Sequence, residues 1–130
     1  MHGIFFEPMT LAGIWDEWTD EASNITRRTY TVVTTVANPL MSRIHNNPKA
    51  SEGPRMPLIL KKEYESDWLR PISTQADQNL LKDLIRSYDE RELDAYTVRR
   101  LRGKEAVGNV PDAIKPFRYA ELEETQGSLF

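Results

Sequence analysis

His45 is one of only two histidines in a chain of 130 residues that contains no cysteine. Without cysteine there are no disulfides, no thiolate metal ligands and no thiol nucleophile. His2 and His45 are too few for a histidine-rich metal centre, so no metal site and no cofactor is expected. What remains open to His45 is proton transfer, since an imidazole can give and take protons near neutral pH. A lone histidine is ordinarily a surface or hydrogen-bonded structural side chain. Two local facts favour chemistry here. His45 follows the hydroxyl-rich run Thr29-Tyr30-Thr31-Val32-Val33-Thr34-Thr35, and it opens an irregular loop that ends in Arg55-Met56-Pro57. Loops held by strands are where reacting side chains tend to sit. Hydrolysis of other proteins is not indicated, because no serine or cysteine nucleophile is paired with His45 by any visible motif.

The elements that would position His45 are short. Leu11 to Trp15 reads as a buried strand, with Gly13 allowing a close backbone approach. Thr19 to Ser23 is a polar, acidic turn, and Thr29 to Thr35, rich in β-branched residues, is the clearest strand of the chain. Together they predict a hairpin. After Asn38-Pro39, the segment Leu40 to His45 is compatible with a short helix or turn. Asn46 to Pro54 holds two prolines, a glycine and two asparagines and is a loop. Pro57 to Leu60 predicts another strand, and Lys61 to Leu69 a helical tract that Pro71 stops. Thr74 is a suitable N-cap, with Asp77 three residues on, for a helix whose stripe is Leu80, Leu81, Leu84, Ile85 and Tyr88. Asp89 to Gly103 is heavily charged, with Tyr96-Thr97-Val98 as a candidate strand, and a flexible tail is expected over 120–130.

Composition sets the outer limits. Apolar residues make up 39% and charged residues 28%, as in a globular protein of one domain, expected here over 1–119. No apolar run approaches the roughly 20 residues of a membrane helix, and the start lacks the pattern of a signal peptide, so a cytoplasmic protein without a membrane partner is expected. A net charge of −3 argues against an indiscriminate nucleic-acid coat but leaves room for a local basic groove. Arg27-Arg28 and the run Arg99 to Lys104 could follow a DNA backbone, although such runs are more often solvated faces. Trp15 and Trp68 are expected in the core, leaving Trp18, beside the turn, as the tryptophan available to stack on a base. Asp16 and Glu17 are expected to be solvated acids at a strand end or turn.

Taken in order, four pieces resemble the SOS-response-associated peptidase family. They are Ala12-Gly13-Ile14-Trp15-Asp16-Glu17-Trp18, then Tyr30 to Asn38, then Ile44-His45, then Arg55-Met56-Pro57-Leu58-Ile59-Leu60. Tyr96 to Val98 and Asn109-Val110-Pro111 sit where that family has its last core strand and an Asn/Pro-containing loop. The resemblance implies an α+β fold dominated by a curved, mixed, mostly antiparallel β-sheet with a few helices at its edge. It implies binding to single-stranded DNA and a covalent crosslink to abasic sites. There the α-amine and thiol of an N-terminal cysteine capture the ring-opened aldehyde, assisted by a glutamate, an asparagine and a histidine. His45 matches that histidine as a proton shuttle, and Thr34 matches a threonine lining the site. Arg55 matches an arginine suited to a DNA phosphate, with Arg43 and Trp18 as further candidate DNA contacts.

The departures from the family pattern are specific. Residue 2 is His2, no cysteine exists, and the family's glutamate and asparagine belong to a part that precedes the strand matched by Leu11 to Trp15. Asp16 and Glu17 therefore do not stand in for that glutamate. Residues 46–54 also lengthen the family's compact Ile-His-x-Arg-Met-Pro pattern. The expectation is the C-terminal portion of such a domain, inactive alone in crosslinking, with its enzymatic status open. A missing N-terminal half supplied by another chain, a homodimer formed through an open sheet edge, and a non-catalytic single-stranded-DNA-binding module are the alternatives.

Overall fold

The computed structural model describes residues 8–45, 47, 49, 51–120 and 122. Residues 1–7, with His2 among them, and all of the 120–130 tail except Ala120 and Leu122 lie outside the described residues. The chain forms two compact units, Met1–Glu92 and Leu93–Phe130.

The first unit is α+β and is built on three antiparallel ladders of two strands each. Strands β2 (Gly13–Asp20) and β3 (Ile25–Val32) form the expected hairpin. Its turn is closed by Asp20, whose carboxylate accepts from the Ala22 N–H at 3.1 Å and the Ser23 hydroxyl at 2.6 Å. Those bonds, Ser23's first, hold the Asp20 carboxyl below its ordinary value. Asn24 turns the chain back at a φ of 53°, a left-handed conformation that asparagine tolerates. The remaining ladders are β1 (Thr10–Leu11) with β6 (Ile59–Leu60), and β4 (Thr34–Val36) with β5 (Arg55–Pro57).

The ladders meet at three residues. Between β1 and β2 lies Ala12, between β3 and β4 lies Val33, and between β5 and β6 lies Leu58. At each, the chain leaves one partner and takes another. The three close a ring of backbone hydrogen bonds: Ala12 N–H to Leu58 C=O at 2.9 Å, Leu58 N–H to Val33 C=O at 2.8 Å, and Val33 N–H to Ala12 C=O at 2.9 Å. Each residue donates once and accepts once, so no backbone group is left unpaired as the strands diverge. Ala12 and Leu58 are 1% and 0% exposed, and with Leu60 they form the core, against which Val33 and Trp68 pack. One buried leucine side chain contributes about 1.5–3 kcal/mol.

Around this junction the helices are short. Helix α1 (Pro39–Ile44) is capped by buried Asn38, and Pro39 occupies the start, where no N–H is needed. The tract after Lys61 is a 3-10 turn, Lys62–Tyr64, leading into α2 (Glu65–Trp68). Helix α3 (Gln75–Leu84) starts with a full capping box between Thr74 and Asp77. It stops at Leu84, so Ile85 and Tyr88 are not on its stripe.

Two further expectations are corrected. The Leu11–Trp15 strand is not buried: only Ala12 is, while Trp15 is 71% exposed and therefore not a core residue. No described residue of the first unit covers either face of the β2–β3 hairpin, which leaves its aromatic side chains exposed there. In the second unit, Tyr96 to Val98 makes a single bridge, Val98 to Pro116, rather than a strand. That unit is held by Thr97 and Tyr119 side chains bonding to backbone carbonyls at 2.6 and 3.0 Å, and by Arg99 over the Phe117 ring at 4.6 Å.

Candidate functional site

Alternation along the β4–β5 ladder sorts its side chains by face. Thr35 pairs with Met56, and both are buried, at 6% and 0% exposure. Their neighbours point the other way. Thr34 pairs with Pro57 and Val36 with Arg55, which makes Thr34 and Arg55 diagonal neighbours on the outer face. A long side chain spans that diagonal. The Arg55 Nε donates to the Thr34 hydroxyl oxygen at 3.0 Å, and its Nη2 donates to the Thr34 carbonyl at 2.6 Å. The third nitrogen, Nη1, lies 3.7 Å from the Glu52 carboxylate.

His45 reaches the same group from the opposite direction. Asn38 accepts the Met41 N–H at 2.8 Å and so starts helix α1, while its amide donates to the Tyr88 carbonyl at 2.9 Å. Glu90 adds a carboxylate to the same helix end, accepting the Leu40 N–H at 2.9 Å. Fixed at its start, the helix ends at His45, whose N–H bonds to the Met41 carbonyl at 2.7 Å. The His45 Nδ1 then sits 2.9 Å from the Arg55 carbonyl. A carbonyl only accepts, so Nδ1 carries the proton in this contact and Nε2 is left with its lone pair when the ring is neutral.

His45, Thr34 and Arg55 are thus joined by three hydrogen bonds, although His45 and Arg55 are separated by residues 46–54. The longer loop does not separate the pair. Arg43 lies in the last turn of α1, exposed, and is not bonded into this group. Trp18 sits on the hairpin opposite Arg27, 58% exposed, and shares no ladder partner with the group either. Sequence reasoning missed Asn38, Glu52 and Glu90. The Asn-Pro pair is a recognisable helix start that could have singled out Asn38; Glu52 and Glu90 carry no comparable signal.

Some of the other candidates have local partners. Arg28 pairs with Glu17 at 2.7 Å, Arg100 lies 3.8 Å from Glu105, and Trp68 packs on the core while donating to the Gly13 carbonyl at 3.0 Å. No group of three or more His, Asp or Glu side chains that could hold a metal comes together among the described residues. No helix of the described residues is long and apolar enough to cross a membrane.

The sequence pattern of the SOS response associated peptidase (SRAP) family matches residues 5–105. The chain belongs to that family. Among similar proteins, abasic site processing protein YoqW of Bacillus subtilis (strain 168) is 37% identical over 90 residues, which are 69% of this SRAP chain and 35% of YoqW. Abasic site processing protein YoaM of the same organism is 33% identical over an equal length. A crystal structure of a protein from Bacteroides thetaiotaomicron superposes with a TM-score of 0.62 at 28% identity, covering 85% of this chain and 44% of that one. This SRAP chain therefore matches only about a third of the length of the curated relatives, at 35%.

Proposed function

We propose that this chain carries the histidine-bearing portion of an abasic-site-processing domain, one that binds single-stranded DNA and, when complete, crosslinks to abasic sites. The observation that supports this reading most is the hydrogen-bonded chain that joins His45 to Arg55 and Arg55 to Thr34 at the β4–β5 ladder. In this reading His45 Nε2 is the proton acceptor and donor during ring opening of the sugar, and Thr34 lines the site. The Nη1 edge of Arg55, Arg43 and Trp18 meet the strand, the arginines at phosphates and the tryptophan by stacking. In the complete domain the ladders join into one curved sheet, and the cysteine and glutamate come from the part that this chain does not match. The protein works in the cytoplasm.

Because the chain has no cysteine, it forms no thiazolidine by itself. Incubation with a single-stranded oligonucleotide bearing an abasic site leaves no band shift on a denaturing gel, whereas native binding is detectable at low salt and weakens as salt rises. A robust crosslink by this chain alone, or no binding at low salt, refutes the proposal.

One observation favours a second reading, association with another chain. Both faces of the β2–β3 hairpin are open, with Trp15, Trp18 and Tyr30 at 71%, 58% and 84% exposure. Aromatic side chains open on both sides of a hairpin invite a partner, either a separate N-terminal half or a second copy. Sedimentation over a range of concentrations tests the second copy: a monomer throughout excludes it.

A further inference from the structure

We propose that Arg55 is the positioning residue of the His45 site, acting before any DNA arrives. Two parts of this one residue do different work. Its side chain ties β5 diagonally to β4 through the Thr34 hydroxyl and carbonyl, and its own carbonyl receives the His45 Nδ1. The first tie fixes where that carbonyl lies relative to Thr34, and the second selects the ring tautomer that leaves Nε2 with its lone pair. Arg55 thereby sets the distance between the proton-transfer nitrogen and the threonine of the same site. This rests on the proposed function for its consequence in DNA processing, but not for the geometry.

The pattern of donors distinguishes positioning from phosphate binding alone. Bidentate capture of a phosphate uses two parallel N–H groups of the fork. In Arg55 the Nε N–H and one N–H of Nη2 are already engaged by Thr34, which occupies the side-on fork. The end-on edge left over is the second Nη2 N–H with Nη1, whose nitrogen lies 3.7 Å from Glu52. A lysine keeps the charge but has no rigid fork, so it cannot hold both Thr34 oxygens in that geometry. Charge and positioning can therefore be separated by one conservative substitution.

The test is nitrogen-15 NMR of the His45 imidazole in the full chain without DNA. The native protein shows a pyrrole-like Nδ1 and a pyridine-like Nε2 on the neutral ring. Arg55→Lys replaces that single form with a tautomer mixture, while Thr34→Val, which removes only the hydroxyl acceptor, shifts it in the same direction to a smaller extent. Glu52→Gln leaves it unchanged. If Arg55→Lys does not fold, as judged by loss of the dispersed Met56 and Leu58 methyl signals, Thr34→Val decides the question. A native ring without the Nδ1–H form, or an unaltered His45 tautomer in whichever of the two variants decides, overturns the positioning role. Binding to an undamaged single-stranded oligonucleotide is measured in parallel. If the native chain fails to bind DNA yet the tautomer changes as described, the proposed function fails while the positioning role stands.

Discussion

Asn38 offers a direct way to ask whether helix α1 presents His45. It is 6% exposed and does two jobs, accepting the Met41 N–H and donating to the Tyr88 carbonyl. Asn38→Ala removes both. Loss of an N-cap costs about 1 kcal/mol, within a range of roughly 0.5–2. The half-buried Tyr88 carbonyl also loses its donor, which adds about 1 kcal/mol, and up to roughly 3 if water does not replace the amide. The two terms together place Asn38→Ala about 2–4 kcal/mol below the native protein, a large share of the roughly 5–15 kcal/mol that a domain has. Asn38→Ser retains a neutral cap acceptor but is too short to donate to the Tyr88 carbonyl, so its loss falls between native and alanine.

Urea unfolding followed by tryptophan fluorescence gives the stabilities. Hydrogen exchange at the His45 N–H, which bonds to the Met41 carbonyl at 2.7 Å, reports the end of the helix. The cap variants accelerate that exchange more than they accelerate exchange at Leu58 in the strand junction. If Asn38→Ala lies within about 0.5 kcal/mol of native, or if serine and alanine are equally damaging, the double role of Asn38 is wrong.

Three further predictions concern packing and pH. Leu58→Ala, at a fully buried position of the junction, destabilises by about 2–5 kcal/mol in the same urea assay, and a loss below about 1 kcal/mol contradicts the core described here. The Asp77 carboxyl is held below its ordinary value, first by the Thr74 hydroxyl and then by the N–H groups of Ser73 and Thr74. A depressed carboxyl adds stability above its unfolded pKa and loses it as pH falls through the folded one. Helix α3 therefore frays only below about pH 3.8, and amide signals of Thr74 to Asp77 that change at higher pH refute this. Asp89 is lowered further, to about 2, by its hydrogen bonds from Arg91. Carboxyl carbon NMR of Asp89 should titrate near that value, and Arg91→Ala should return it toward the ordinary carboxylate range.

What was legible in the sequence was local. The hairpin followed from β-branched strands around a polar turn and α3 from Thr74 and Asp77, while the segment before His45 was open between a short helix and a turn. Each signal concerns residues within a few positions of one another. The exposure of Trp15 was not legible, because an aromatic on an alternating strand reads as buried whatever covers that strand. The change of partner at Ala12, Val33 and Leu58 also escaped, since a run such as Arg55 to Leu60 reads as one strand although it serves two ladders. The His45, Thr34 and Arg55 grouping came from resemblance alone. Its physical basis is the register of β4 against β5, and register joins residues that no short window contains.

That register also explains why a long loop after His45 is compatible with the site. The ends of the loop are held from both sides, by the His45 contact to Arg55 at 2.9 Å and by the Ala37 N–H to the Pro54 carbonyl at 3.1 Å. Doubling the length of a flexible loop costs only about 0.6 kcal/mol in closure entropy, which a single hydrogen bond of about 0.5–1.5 kcal/mol can offset. The loop can therefore grow without moving the residues that bracket it. The converse is less forgiving. Thr34 directly follows Val33, and Arg55 lies on the short strand that runs into Leu58, so a change that disturbs the junction moves Thr34 and Arg55 together. Sequence freedom belongs to the loop, and geometric constraint belongs to the ring of three backbone hydrogen bonds beneath it.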